Sequence, residues 1–393
     1  MTPTLSVERR STLAEASLSV FEPIADQLKR SSGTRVIPLH QGKTAFTTPV
    51  DLREWSPREF DYPHYHDGPT VGTEQLVRAI QEKLETQHGQ AIDPARIQVT
   101  CGITHALSIV FHCILQPMDE VVILSPQWLF AEGLVRAAGG VPIEAPFFAT
   151  AGDRTVATVA ETVAPKLTPR TRAIYFNSPN NPTGAAITAE QLADIIDLAR
   201  DRGIWLVSDN AYEYYDYSAA GFLDPAFVDG GRANTFSAYS FSKSYGLTGY
   251  RIGYLLSPPD MAMLARKFSL YSIYSVPTCC QFVALSALKH GPIVLEGHRR
   301  FIKKALDMTT QQLRVPATVP DGGFYTFLDL SAWPGGVADF ITRCISEGVS
   351  LAPGCAFGRY YTAHARLCYS VVNHEDLAEG IRVINQVFDR RAR

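Results

Sequence analysis

The chain has 393 residues, 46% of them hydrophobic and 19% charged, with a formal net charge of −3 at pH 7. That length exceeds what one hydrophobic core supports, so two domains are expected, and a near-neutral balance without blocks of like charge excludes nucleic acid or an anionic membrane as the main partner. Acids interrupt the opening MTPTLSVERRSTLAEASLSVFEPIADQL and no apolar run reaches the length of a membrane span, so neither a secretory peptide nor a membrane anchor is predicted.

From about residue 73 to 257, helical and strand patterns alternate. TEQLVRAIQEKLETQHG spaces Leu76, Ile80 and Leu84 as one face of a helix. IQVT then leads through Cys101 and Gly102 into another helix, and EVVIL (120–124) reads as a buried strand. RAIYFNS (172–178), IWLVSDN (204–210), NTFSAYSFS (234–242) and RIGYLLS (251–257) are further strands. Between the first two of these, Thr188 and Gln191 form a capping box, Leu192, Ile195, Ile196 and Ala199 a face, and Gly203 a stop. Continuous apolar strands alternating with helices predict an α/β fold: a three-layer domain with a mostly parallel sheet covered on both faces. Beyond about 290 a basic helix, strands near 323–329 and 366–371 and a terminal helix predict a smaller α+β domain. The expected division is a large domain over 50–288 and a small one over 1–49 and 289–393.

Ligands of open α/β sheets bind beyond the carboxyl ends of the strands. Four such ends carry a glycine-opened helix start (Gly102, Ile103, Thr104), an amide (Asn181), a carboxylate (Asp209) and a lysine among hydroxyls (Ser240, Ser242, Lys243). Together they suit an anionic, aromatic aldehyde, pyridoxal 5′-phosphate. Lys243 can condense with an aldehyde only as a neutral amine, and moving its pKa from about 10.4 to about 7 costs roughly 4 to 5 kcal/mol, supplied by burial and a nearby cation. Asp209 facing the ring nitrogen keeps it protonated. The phosphate calls for helix-start N–H groups, the Ser240 hydroxyl and the Arg251 guanidinium.

SFSKSYGLTGYRIGY (240–254) is similar to the Ser-x-x-Lys and Gly-Leu-x-Gly-x-Arg-x-Gly pattern of fold-type I pyridoxal-phosphate aminotransferases, class I/II, the aspartate aminotransferase superfamily. NNPTG, DNAY, SPQW, GGFYTFLDL, APGCAFG and ARLCYS resemble accompanying segments, over nearly the whole chain. The resemblance implies that Lys243 is the Schiff-base lysine and that Asp209 and Tyr212 act with it, on the ring nitrogen and ring oxygen. It also implies that Asn181 bonds the ring hydroxyl and that Trp128 stacks on the ring. Ser240 and Arg251 would hold phosphate, and Gly42, Asn181 and Arg366 would bind substrate. Tyr65 would reach the neighbouring subunit's phosphate in a homodimer. HQGKTAF departs from the family at Lys43 and Thr44, and YHDGPTVG is stretched. The implied reaction is amino-group transfer between an amino acid and a 2-oxo acid. Elimination, cyclisation or oxidation on the same cofactor stays open, and a regulator built on this fold lacks room for a DNA-binding domain in residues 1–35.

Seven scattered cysteines without a CxxC read as reduced thiols of a cytoplasmic protein. His64 and His66 lack a third ligand, so no metal is expected. His105 reads as structural.

Overall fold

The computed structural model describes residues 35–46, 69–148, 158–228 and 231–390. Tyr65, His64 and His66 lie outside the described residues.

Helix α1 (Glu74–His88) buries Leu76, Val77, Ile80 and Leu84, and Gly89 ends it in the left-handed region at φ 67°. Strand β1 (Ile97–Thr100) is followed directly by α2 (Gly102–Ile114), then β2 (Glu120–Ser125), α3 (Ala131–Ala137) and β3 (Val141–Pro146). After a short α4 (Val159–Thr162) come β4 (Thr171–Asn177), α5 (Ala189–Arg202) and β5 (Trp205–Asp209). The capping box of Thr188 and Gln191 is formed, and Gly203 closes α5 at φ 61°. Next come β6 (Thr235–Ser240), the one-turn α6 (Phe241–Ser244), β7 (Gly253–Leu256) and α7 (Ala262–Ile273).

These seven strands form one sheet in the order β1-β7-β6-β5-β4-β2-β3. All neighbours run parallel except β7, which is antiparallel to both β1 and β6. Alternate side chains of one strand enter opposite cores. Val121 and Ile123 of β2 pack with Leu107, Val110 and Phe111 of α2, whereas Val122 and Leu124 pack with Leu192, Ile195 and Ile196 of α5. That alternation is the three-layer arrangement expected of strands apolar on both faces. Edge strand β3 was not legible as a strand because Pro142 and Pro146 interrupt it; an edge position tolerates both.

The smaller α+β domain holds a three-stranded antiparallel sheet, β8 (Tyr325–Asp329), β9 (Ala352–Pro353) and β10 (His364–Cys368), in the order β8-β10-β9. Helices α9 (Gly336–Ser346) and α10 (His374–Asp389) cover it, and Ile37 and Leu39 join the same core. The basic helix expected from about 290 begins earlier: α8 spans Thr278–Gln312. Its two parts, Thr278–Gly291 and Ile293–Gln312, meet at 80°. The late strands are also shorter than expected, starting at Tyr325 after Gly323 (φ 67°) and ending at Cys368. Among the described residues, no single helix is long and apolar enough to cross a membrane.

Candidate active site

Strand ends β4, β5 and β6 deliver their side chains to one place because parallel neighbours end on the same edge. Asn177 and Asp209 are ladder partners at the last step of β4 and β5, and Asn177 Nδ2 donates to the Asp209 carbonyl at 2.8 Å. The Asn177 side chain also accepts from the Asn181 N–H at 2.8 Å, while Asn180 accepts from the Thr183 hydroxyl at 2.8 Å. These bonds fold the NNPTG turn back over the strand end and fix Asn181. At the end of β6, Ser240 turns out to be a helix N-cap. Its hydroxyl accepts from the Ser242 N–H at 3.0 Å, so Ser242 and Lys243 belong to α6 and not to the strand.

Arg251 sits at φ 49°, a left-handed conformation that costs an arginine about 1–3 kcal/mol. Its Nη1 donates to the Thr248 carbonyl at 3.1 Å. The guanidinium lies against Gly102, where an added Cβ would fall 2.6 Å from Nη2. A Cβ on Gly253 would come 2.5 Å from the Tyr239 carbonyl and 3.1 Å from the Ile103 nitrogen. Two glycines thus let β7 and the first turn of α2 approach closely, with the helix-start N–H groups beside a cation. This is an anion cradle.

A cavity of about 210 Å³ opens here, lined by Ile103, Thr104, Trp128, Asn181, Asp209, Tyr212, Ser240, Lys243 and Arg251, all expected from the sequence. Asn177, Ala211, Ser242 and Thr248 line it too. Lys243 Nζ donates to the Gly42 carbonyl at 2.6 Å, and among the described residues no carboxylate lies within ion-pairing distance of it. Burial lowers its pKa to about 8; Arg366, Arg251 and Lys43 push the same way, and Cys368 pulls against them. Asp209 is fully enclosed, and burial raises its carboxyl to about 6 against the Tyr175 hydroxyl, the Ala211 N–H and Lys243.

Arg366, on β10, does not line this cavity itself but is bonded to Asn181, which does. It is buried, stacked over the rings of Tyr325 (4.4 Å) and Phe357 (4.7 Å). Nη1 donates to Asn181 Oδ1 at 2.9 Å and Nη2 to the His40 carbonyl at 2.7 Å, while Nε has no hydrogen-bond partner among the described residues. Tyr325, which the sequence did not single out, also takes part in a hydroxyl pair with Tyr212 at 2.9 Å, and a Cβ on Gly42 would strike its hydroxyl at 2.6 Å. His105 holds the Cys101 N–H and Ser272, and burial drops its pKa to about 4, in keeping with a structural, neutral role.

The family described as "Aminotransferase class I and II" matches residues 35–384. The chain belongs to it. The "Probable aspartate/prephenate aminotransferase" of Aquifex aeolicus is 35% identical over 92% of this chain and 93% of that one. "Aromatic-amino-acid aminotransferase 2" of Thermococcus litoralis is 29% identical over 91% of this chain and 92% of that one. The solved aspartate aminotransferase from Thermus thermophilus with maleate superposes with a TM-score of 0.87 at 29% identity, covering 98% of this chain and 100% of that one.

This aminotransferase is therefore pyridoxal-phosphate-dependent and transfers an amino group between an amino acid and a 2-oxo acid. Its cavity fits the cofactor on its own chemistry. A lysine without a counter-ion, an enclosed carboxylate and a glycine-lined helix start beside a guanidinium all border one space. Next to that space, the Nε of buried Arg366 is a donor with no acceptor among the described residues. When bound, pyridoxal phosphate supplies the aldehyde that takes the amine and the ring that draws electrons from the α-carbon.

Proposed function

We propose that Lys243, Asp209 and Tyr212 carry the transfer, and that Lys243 is the residue joined to the cofactor. The observation behind this is the Lys243 amine: depressed to about 8, held by a carbonyl and lacking an acidic partner among the described residues, it is available as a neutral base. Lys243 Nζ would hold the cofactor at its aldehyde carbon and, as a neutral amine, would move the α-proton of the substrate. Asp209 would hold the positive charge of the ring nitrogen, and Tyr212 and Asn181 would hold the ring oxygen. Trp128 covers the ring face.

The N–H groups of residues 102–104, the Ser240 hydroxyl and the Arg251 guanidinium would hold the phosphate. Arg366 clamps the substrate α-carboxylate, with Nε as the waiting donor and its planar fork preset by Asn181 and His40. Gly42 lies against Lys243 and keeps the substrate side clear of a side chain. We assign the large domain to 50–288 and the small one to 1–49 with 289–393, and the working form to a cytoplasmic homodimer in which Tyr65 reaches the partner's phosphate.

The test mixes the purified, cofactor-loaded protein with a panel of amino acids and follows oxo-acid release and the pyridoxamine form together. Equal yields of the two support transfer. Ammonia release or oxygen uptake without the pyridoxamine form would overturn it.

A further inference from the structure

Strand β4 carries a hydroxyl that packing alone does not require. Ile174 and Phe176 of this strand enter the core with α5, whereas Ala173 and Tyr175 enter the core with α2. Tyr175 is fully buried there, its ring 6.2 Å from that of Phe111 and its backbone paired with Val207. Phenylalanine would fill the same space without a polar atom to satisfy. The Tyr175 hydroxyl donates to Oδ2 of Asp209 at 2.9 Å. Oδ1 of the same carboxylate accepts from the Ala211 N–H at 3.2 Å. Asn177, two residues along β4, holds the Asp209 carbonyl. One strand thus grips both the main chain and the side chain of Asp209.

We infer that Tyr175 is a positioning residue for the cofactor's ring nitrogen: its hydroxyl fixes the Asp209 carboxylate in orientation and keeps it anionic, leaving its open edge to the cavity. This rests on the role given to Asp209 above. The titratable groups facing Asp209 are Tyr175 from β4, Lys243 from α6 and Tyr212 from the loop after β5. Burial pushes the carboxyl up, and the Tyr175 hydroxyl is the foremost influence opposing it, ahead of Ala211 and Lys243. Without that donor the carboxylate takes up a proton more readily, and a protonated acid no longer attracts a pyridinium.

The test is Tyr175→Phe, which keeps the shape of the buried ring. Cofactor-free protein is titrated with pyridoxal phosphate and with its carbocyclic analogue, in which carbon replaces the ring nitrogen. The variant is expected to lose about tenfold in affinity for pyridoxal phosphate, the size of one hydrogen bond to a charged group, and to bind the analogue as the parent does. Equal losses for both ligands, or no loss for either, would overturn the inference. In an Asp209→Ala background the tyrosine change should have no further effect, and an unchanged tenfold loss there would also overturn it. A parent protein that binds no pyridoxal phosphate would instead sink the proposed function itself.

Discussion

Two lysines in this protein are withdrawn from water and treated in opposite ways. Lys83, on α1, donates to both oxygens of buried Glu213 at 2.7 Å and to the Tyr254 hydroxyl at 2.7 Å. The rings of Tyr214, Tyr239 and Tyr254 surround its ammonium at 4.9–5.4 Å. Burial lowers the pKa of Lys83 and raises that of Glu213, and each partner pulls the other back. Among the described residues Lys243 receives only a carbonyl, and the nearby Arg366, Arg251 and Lys43 repel it. One amine is supplied with everything a buried cation needs; the other is kept short of it. The first holds structure, and the second stays ready to react.

Substitution separates them most sharply. Lys243→Ala should retain the fold but reduce amino transfer by at least about 10⁴-fold, measured as turnover together with loss of the lysine-bound cofactor's absorbance. Lys83→Met should act the other way round. Stranding Glu213 in the core should cost about 3–5 kcal/mol of stability, read from denaturant unfolding, while the Lys243 absorbance of the folded fraction is preserved. Arg366→Ala should lower kcat/KM by about 10- to 100-fold through one lost charge-assisted contact, with cofactor binding unaffected.

A pH series sharpens the contrast further. The Lys243 amine is neutral above its folded pKa, so the rate at which cofactor-free protein captures pyridoxal phosphate should rise about tenfold per unit toward pH 8 and then level off. For stability the sign follows from proton binding. Below about pH 8 both folded and unfolded chains carry the charge and the burial penalty is in full force. Between about 8 and 10.5 only the unfolded chain still binds the proton, so stability from this group rises with pH. A flat capture rate between pH 6 and 9 would contradict the depressed amine. The smallest effect belongs to the paired change Lys83→Met with Glu213→Leu, expected to lie within about 1 kcal/mol of the parent, because removing both charges leaves neither stranded.

Much of this was legible in the sequence because strands buried on both faces read as continuous apolar runs and their ends announce the polar residues. Lys243, Asp209 and Asn181 came out of that rule and Arg251 from the need for a phosphate partner, and all four border one cavity. Three things were hidden. That Tyr175 touches Asp209 depends on the pairing of β4 with β5, and no spacing within one strand reveals it. The turn at Ser240 looked like strand because Phe241 continues the apolar run, while the capping bond to Ser242 starts a helix. The first half of α8 was hidden because a Gly-Pro pair in the sequence reads as a helix stop, whereas the helix runs from Thr278 to Gln312.

The left-handed backbone at Arg251 has a further meaning. Glycine would adopt φ 49° without strain, so at this position the chain keeps a side chain against its own conformational preference. If Arg251 holds the phosphate as proposed, grip on an anion outweighs rest in the backbone there. Arg251→Gly should therefore yield an empty protein that melts no lower than its parent, yet no longer retains pyridoxal phosphate through gel filtration. A sharp fall in the melting temperature of the empty form would mean that the guanidinium serves the fold before it serves the ligand.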